Sequence, residues 1–132
     1  GQIDRKNNFE QGEKLPAFDE KGDTYKHLDD SGIAIKTEKG LVVISGCSHS
    51  GICNTVEYAK KITGDNRVAA VMGGFHLKEV DECTIKTIEY MKQNNVNMIY
   101  LAHCTSDIVC KEFLEQMPNK AVIIETGKEY KL

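Results

Sequence analysis

The chain has 132 residues, of which 40% are hydrophobic and 28% are charged, and its formal net charge is −3 at pH 7. This length is typical of one folded domain, and the acidic balance argues against a nucleic-acid partner, which needs a basic protein face. No apolar run approaches the roughly 18 residues of a membrane span, and the N-terminus has no apolar export signal. We therefore expect a cytoplasmic domain with no nucleic-acid or membrane partner.

The first quarter of the chain differs from the rest. Residues 1–31 have little apolar periodicity and many charged, glycine and proline residues, which predicts an irregular polar lead-in. His27 lies in this lead-in with no strand before it, and we expect it at the exposed surface. Residues 32–132 form the predicted folded domain. It opens with two strand-like runs, Gly32–Thr37 and Leu41–Ser45, around a short glycine-containing link that is typical of a β-hairpin.

Three helices alternate with three strands after the hairpin. Apolar residues recur at helical spacing in three sets, Ile52, Val56, Ala59 and Ile62, then Val80, Thr84, Ile88 and Met91, then Cys110, Phe113, Leu114 and Met117. The helices are predicted to end at Gly64, near Asn94-Asn95 and at Pro118, and the strands to span Arg67–Met72, Asn97–Ala102 and Ala121–Glu125, before a final run at 129–132. This alternation indicates βαβ units with parallel strands and right-handed crossovers. Three helices cover one face of such a sheet, and the other face needs material outside this chain.

The strands in the middle of the chain each run into a small-residue loop that carries a histidine. These residues are His49, His76 and His103, and they are separated by 27 positions each time. Because the carboxyl ends of parallel strands meet at one edge of the sheet, we expect the three side chains to converge there. Neutral imidazole is the commonest protein ligand of zinc, so the three histidines predict a metal cluster.

Other residues of these loops are predicted to contact a substrate. Gly74 allows close approach of the backbone to a ligand. Thr105 lies two residues after His103, in the third histidine loop. A tight turn at Gly74 and a helix cap at Thr105 are the structural alternatives. Helix N-termini at this edge attract anions, so we expect a substrate phosphate or carboxylate to bind there.

The five cysteines, an odd number without a CxxC pair, favour reduced thiols over a disulfide framework. Cys53, Cys83 and Cys110 fall on apolar helix faces, where a free cysteine behaves as a small hydrophobe. Cys47 and Cys104 differ from these, because each lies within two residues of a strand-end histidine.

Four segments together resemble the second half of the metallo-β-lactamase superfamily. They are Asp29–Ala34, Gly40–Thr55 with its GCSHSG loop, Gly73–Leu77 with the letters GGFHL, and His103–Thr105 with the letters HCT. The sequence is most similar to the branch of dihydropterin-ribofuranosylaminobenzene-phosphate synthase-like metallohydrolases. The resemblance implies an α/β fold that is half of an αββα sandwich. Its mixed sheet would consist of a β-hairpin followed by βαβαβαβ units, with the helices mainly on one face.

The resemblance also implies a site. It would hold zinc or another divalent metal that activates water for attack on a small-molecule ester, lactone or phosphoester. His103 matches the last histidine of the superfamily and His49 the histidine of the GCSH loop, so both are predicted metal ligands. His76 matches the GGxHL histidine and is assigned to metal or substrate contact. Cys47 lies near the place where many relatives carry a bridging aspartate, which makes a thiolate ligand a further prediction.

One part of the family pattern is missing from the sequence. The motif HxHxDH, which supplies most of the metal ligands from the first half of the fold, does not occur in the 132 residues, and the loop after His103 reads Cys-Thr-Ser where relatives often have Cys-Thr-Gly. We therefore expect an incomplete metal site. The chain is interpreted as the C-terminal portion of a metal-dependent hydrolase, a truncated domain that is inactive by itself, whether the truncation is natural or artificial.

Two other interpretations remain open. An uncovered sheet face favours association, so the chain would then be a non-catalytic binding or assembly module that forms a homodimer through that face. A stand-alone thiol enzyme would instead pair Cys47 with His49, or Cys104 with His103. Neighbours in sequence rarely face each other well enough for a nucleophile and its base, and no third group that orients the base is identifiable.

Overall fold

A computed structural model describes residues 3–7, 9–10, 17–18, 24–25 and 30–131. His27 and most of the lead-in lie outside the described residues, as does the last residue of the chain. The strands are β1 (Ala17–Phe18), β2 (Thr24–Tyr25), β3 (Gly32–Thr37), β4 (Gly40–Ser45), β5 (Val68–Gly73), β6 (Met98–Leu101) and β7 (Ala121–Ile123), and the helices are α1 (Ile52–Thr63), α2 (Glu82–Gln93) and α3 (Asp107–Gln116). In the described part of the chain, no helix is long and apolar enough to cross a membrane.

The main sheet has five strands in the order β3-β4-β5-β6-β7. The first pair is antiparallel and forms the predicted hairpin, whereas the other three pairs are parallel. The sheet is therefore mixed, and the predicted fold class is confirmed. A separate antiparallel pair, β1 with β2, lies in the lead-in.

The three helices pack on one face of this sheet. Strands β4 to β7 follow one another across the sheet in chain order, and right-handed crossovers between such strands place every helix on the same face. Successive strand residues point to opposite faces. In β4, Leu41 and Val43 belong to the core beneath the helices, and Val42 and Ile44 point the other way. The helix-covered core continues through the buried side chains Ile52, Val56, Val71, Ile88, Met91, Ile99, Leu101, Val109 and Phe113.

The opposite face of the sheet is apolar as well. Its cluster comprises Val42, Ile44, Ala69, Ala70, Met72, Met98, Tyr100, Val122, Ile124 and Tyr130. The antiparallel register adds Ile33 and Ile35, which pair with Ile44 and Val42 and are 61% and 45% exposed. A sheet face of this composition is what half of a two-sheet sandwich presents to its other half.

The ends of the helices agree only partly with the sequence pattern. Helix α1 ends at Gly64, whose left-handed backbone (φ 71°) is the predicted stop. Helix α2 begins later than expected, because the Asp81 side chain accepts a hydrogen bond from the Thr84 amide (2.9 Å) and caps the helix there. The prediction of Val80 as a helical residue is therefore wrong, since Val80 precedes α2 and is 39% exposed. In α1, the prediction that Ile62 faces inward is also wrong, because its side chain is 62% exposed.

The helix cysteines lie in the core, and the end of the chain packs on the opposite face of the sheet. Cys53 and Cys110 are buried, and Cys83 packs against the same core, so the prediction of small hydrophobes is confirmed. Residues 129–131 of the final run form neither strand nor helix. Tyr130 instead stacks edge-to-face on Tyr100, with ring centroids 5.4 Å apart, and its hydroxyl accepts a hydrogen bond from the Glu125 amide (2.9 Å).

Candidate metal centre

The three histidine loops meet at the carboxyl edge of the sheet and are joined through their backbones. The Gly74 amide donates to the Gly46 carbonyl (2.9 Å), and the Ala102 amide donates to the Gly73 carbonyl (3.0 Å). The Ser48 hydroxyl donates to the Gly74 carbonyl oxygen (2.6 Å). These bonds link the loops after β4, β5 and β6 into one layer, as their parallel pairing predicted.

Each of the three loops contains a residue other than glycine in a left-handed backbone conformation. These are Ser48 (φ 55°), His76 (φ 52°) and His103 (φ 52°). Such conformations are uncommon outside glycine, although histidine adopts them more often than most residues, and they cluster at functional sites. Two of the three predicted histidines are thus held in directions that an ordinary extended or helical backbone would not give them.

Two of the histidines contact each other. The rings of His49 and His76 lie edge-to-face, with centroids 4.8 Å apart and planes at 88°, and both side chains are half-buried. The expected convergence of the first two loops is therefore present in the fold.

The third histidine belongs to a neighbouring cluster that contains sulfur. One ligand atom each from Cys47, His103 and Cys104 lies within 4.8 Å of the others. The Cys104 thiol donates to the Cys47 carbonyl oxygen (3.5 Å), and both thiols are half-buried and free. Cys104 was not among the predicted ligands. Its position within two residues of a strand-end histidine, which Cys47 shares, was the available signal.

The environment of the Cys104 thiol disfavours its ionised form. Burial, first of all, raises the pKa of Cys104, and the neighbouring Cys47 raises it further. A hydrogen bond from the His76 backbone acts in the opposite direction but does not cancel these effects. A cation bound next to Cys104 would favour its thiolate form.

The two residues predicted to contact substrate have structural partners in the fold. A Cβ atom added to Gly74 would lie 2.6 Å from the Cys104 sulfur and 2.8 Å from the Gly46 carbonyl oxygen, so a side chain there would displace the thiol. The Thr105 hydroxyl accepts a hydrogen bond from the buried Phe75 amide (3.0 Å), which ties two of the loops together. Substrate contact by Gly74 and Thr105 stays a prediction.

The N-terminus of α1 is occupied by a carboxylate of the protein itself. The two oxygens of Glu10 accept hydrogen bonds from the Cys53 and Asn54 amides, each at 2.8 Å, and Glu10 is only 4% exposed. Burial raises the pKa of Glu10, and the two amide hydrogen bonds oppose that rise. The expected substrate anion therefore has no access to these two amides, because a carboxylate from the lead-in satisfies them.

Asn54 fixes the same part of the lead-in from the helix side. Its side-chain oxygen accepts from the Lys6 and Asn7 amides (3.0 and 2.9 Å), and its amide nitrogen donates to the Glu10 carbonyl (3.1 Å). The Ser50 amide donates to Asp30 (2.7 Å). Residues from the lead-in therefore hold the GCSHSG loop in place, although nothing in the local sequence around Glu10 pointed to this role.

The side chains at this edge fit a divalent metal. Imidazole nitrogen and thiolate sulfur are the donors that zinc takes in proteins, and both kinds converge here. The acidic and histidine ligands of an HxHxDH motif are not part of this sequence. The residues present therefore suit part of a metal centre.

The chain is similar to known proteins over only part of the length of those proteins. The chain is 43% identical over 101 residues to the 7,8-dihydropterin-6-methyl-4-(beta-D-ribofuranosyl)-aminobenzene-5'-phosphate synthase of Methanocaldococcus jannaschii, a match that covers 76% of this chain and 34% of the synthase. It is also 43% identical over 65 residues to an uncharacterized protein of the same organism, covering 48% of this chain and 24% of that protein. No protein-family model matches the chain.

A solved structure gives the same picture for the fold. It is described as a metal-dependent hydrolase of the beta-lactamase superfamily, and it matches with a TM-score of 0.75 and 29% sequence identity. The match covers 86% of this chain and 45% of the hydrolase. The chain thus spans about a third of the synthase and less than half of the hydrolase.

Proposed function

Because the chain belongs to the metallo-β-lactamase superfamily, of which it has the second half of the fold, we propose that it supplies the second-half ligands of a metal-dependent hydrolase. The meeting of the three histidine loops at one sheet edge carries the proposal, above all the 4.8 Å separation of the His49 and His76 rings. His103, on the adjacent loop, completes the set with Cys47 and Cys104 beside it.

In this proposal His49 and His103 bind the metal, and His76 contacts either the metal or the substrate next to His49. A divalent metal, with zinc as the proposed ion, supplies Lewis-acid polarisation and activation of water when it is bound. The residues of this chain position it: the left-handed backbone at His76 and His103 sets the direction of their rings. The free thiols of Cys47 and Cys104 suit a reducing compartment such as the cytoplasm, which stays a prediction.

The proposed substrates are small esters, lactones or phosphoesters. Hydrolysis needs the ligands that HxHxDH supplies in the superfamily, so we expect this chain by itself to bind metal but to turn over substrate very slowly or not at all. The apolar sheet face, with Ile33 and Ile35 exposed on it, is proposed to pack against the sheet that the other half of the fold provides.

The test has a binding arm and an activity arm. Calorimetric titration of the reduced chain with zinc is expected to show binding that weakens at least about tenfold in His49→Ala and in His103→Ala. Lys111→Ala, an exposed change on α3, is the matched control and keeps full affinity. Hydrolysis of a phosphodiester and of a lactone is measured on the same samples. Absence of zinc binding would contradict the proposal, and robust turnover lost in His103→Ala would show that the other half is unnecessary.

A second candidate is the synthase reaction named for the archaeal relative, which the 43% identity over 101 residues favours. The same metal centre would then serve the synthase reaction for which this relative is named, in place of hydrolysis. Incubating the chain, combined with a first half of the fold that carries HxHxDH, with the substrates of that synthase distinguishes the two candidates. Formation of the 5'-phosphate product for which the relative is named would favour the synthase, and hydrolysis of the phosphodiester or the lactone alone would favour the hydrolase.

The third candidate is the assembly module, which the apolar sheet face favours. Size-exclusion chromatography tests it on this chain. A stable dimer that ignores zinc would support the assembly module, and a zinc-binding monomer would count against it.

A further inference from the structure

The sulfur-containing cluster differs from the rest of the site, because its donors come from both outer loops of the sheet edge. Cys47 follows β4, and His103 and Cys104 follow β6, with β5 lying between these strands. One nitrogen or sulfur atom from each residue lies within 4.8 Å of the other two. Parallel pairing brings together residues that are 56 positions or more apart in the sequence.

The backbone around the cluster fixes where the sulfur atoms lie. The Gly74 backbone contacts the Cys104 sulfur so closely that a Cβ there would approach it to 2.6 Å. The Cys104 thiol is also hydrogen-bonded to the Cys47 carbonyl oxygen (3.5 Å). The left-handed backbone of His103 (φ 52°) directs the imidazole of that residue. The fold therefore fixes both half-buried sulfur atoms, and the backbone of the exposed His103 holds the third donor beside them.

The spacing of the three donors suits a thiophilic metal ion. Zinc–sulfur bonds of about 2.3 Å and zinc–nitrogen bonds of about 2.0 Å place tetrahedral ligand atoms roughly 3.3–3.8 Å apart. Donors within 4.8 Å of one another reach that geometry by side-chain movements of about 1 Å. Thiolate and imidazole together select zinc, cadmium or cobalt over magnesium or calcium, which prefer oxygen ligands.

We propose that Cys47, His103 and Cys104 bind a thiophilic divalent metal ion through two sulfur atoms and one nitrogen atom. The proposal shares His103 with the proposed hydrolase centre, but it requires neither hydrolytic activity nor HxHxDH. It assigns Cys104, a residue outside the ligands that the family resemblance implies, to the metal. The second half of the fold would then bind a metal ion before the first half supplies any ligands.

Cobalt(II) is the probe, because thiolate ligands give it a near-ultraviolet charge-transfer band that nitrogen and oxygen ligands do not. The reduced chain is titrated with cobalt without oxygen, and one equivalent is expected to develop that band. Cys47→Ser and Cys104→Ser should each weaken binding by at least about 100-fold, since loss of a residue that only supports a ligand already costs roughly 10–100-fold. Cys83→Ser removes a thiol at the start of α2 and is the matched control with an unchanged band. Circular dichroism of each variant confirms folding.

The outcomes separate this proposal from the proposed function. Cobalt bound by the unaltered chain without a thiolate band would overturn the sulfur site, and this result needs no variant to fold. Full affinity in both cysteine variants together with loss of binding in His49→Ala would also overturn it, while the hydrolase centre would stand. A thiolate band that His49→Ala leaves intact and the cysteine variants abolish supports the sulfur site, even if no hydrolysis is found.

Discussion

The two ends of the parallel strands differ in how the chain makes its left-handed turns. At the amino ends, where α1, α2 and α3 return to the sheet, the positive-φ residues are Gly64, Asn95 and Asn119. Glycine and asparagine tolerate this conformation at little cost. At the carboxyl ends, the residues other than glycine with positive φ are Ser48, His76 and His103.

This difference indicates what each end of the sheet does. The amino-end turns use glycine and asparagine, the residue types that adopt a left-handed backbone at little cost. The carboxyl end keeps histidines in a conformation that costs free energy, which is a pattern of functional sites. Changes at the amino end should therefore alter stability alone, whereas changes at the carboxyl end should alter metal binding, stability or both.

The largest effect is expected from a comparison of two glycines, one from each end. Gly73 has a φ of 135°, and an added Cβ would lie 2.1 Å from the Ser45 carbonyl oxygen, whereas Gly64 has a φ of 71° and nothing within 4 Å. Gly73→Ala should lower the free energy of unfolding by at least about 3 kcal/mol through strain and overpacking. Gly64→Ala should cost about 1 kcal/mol. Urea denaturation measures both, and equal losses would show that the two ends do not differ in crowding.

Removal of the Glu10 carboxylate should have the next largest effect. Glu10→Ala leaves the buried Cys53 and Asn54 amides without their acceptor, which should cost about 2 kcal/mol of unfolding free energy. Glu38→Ala, in the exposed hairpin turn, is the control and should change stability by less than about 0.5 kcal/mol. Urea denaturation again measures the change. A loss of similar size in both variants would mean that Glu10 does not anchor the lead-in to α1.

A matched pair of left-handed residues separates stability from metal binding. Asn119→Ala should cost about 1 kcal/mol, because alanine adopts the φ of 65° less readily, and it should leave metal affinity unchanged. His103→Asn should keep stability within about 0.5 kcal/mol, because asparagine tolerates the same backbone, yet lose most metal affinity. Thermal unfolding and zinc calorimetry on both variants check the pair. Loss of metal binding in Asn119→Ala would break the distinction between the two ends.

The smallest effect is a pH dependence that arises from Glu10. Its pKa in the folded chain is raised above the ordinary 4.5, chiefly by burial, so the folded state holds a proton at pH values where the unfolded state has lost it. The contribution of Glu10 to the free energy of unfolding therefore falls as pH rises from about 4.5 through the folded pKa. Glu10→Gln does not titrate and should lack this fall. Denaturation curves between pH 4 and 8, compared for the two proteins, test it, and parallel pH profiles would contradict it.

The sequence predicts the regular parts of the fold well, because those parts depend on local patterns. Strand alternation indicated the hairpin of β3 and β4, helical spacing indicated three helices, and Gly64 marked the end of α1 at the correct residue. The start of α2 differs from the prediction because the Asp81 side chain caps the helix, so that the apolar Val80 lies before it. An apolar residue at helical spacing does not by itself reveal a cap.

The site was predictable only where neighbouring strands bring equivalent loops together. The contact between His49 and His76 follows from parallel pairing of adjacent strands. The placement of Cys104 against Cys47 depends on the absence of a side chain at Gly74, which is a property of three-dimensional packing. The bond from the Cys53 amide to Glu10 spans 43 residues and has no periodic signal at either end.

Zinc X-ray absorption on the zinc-loaded, reduced chain shows directly whether the carboxyl-edge loops bind metal through imidazole and thiolate. We expect sulfur ligands at about 2.3 Å together with imidazole nitrogen at about 2.0–2.1 Å, and a smaller imidazole contribution around the zinc that His103→Asn still binds. A ligand shell of oxygen alone, or an unchanged spectrum in His103→Asn, would contradict this mode of binding.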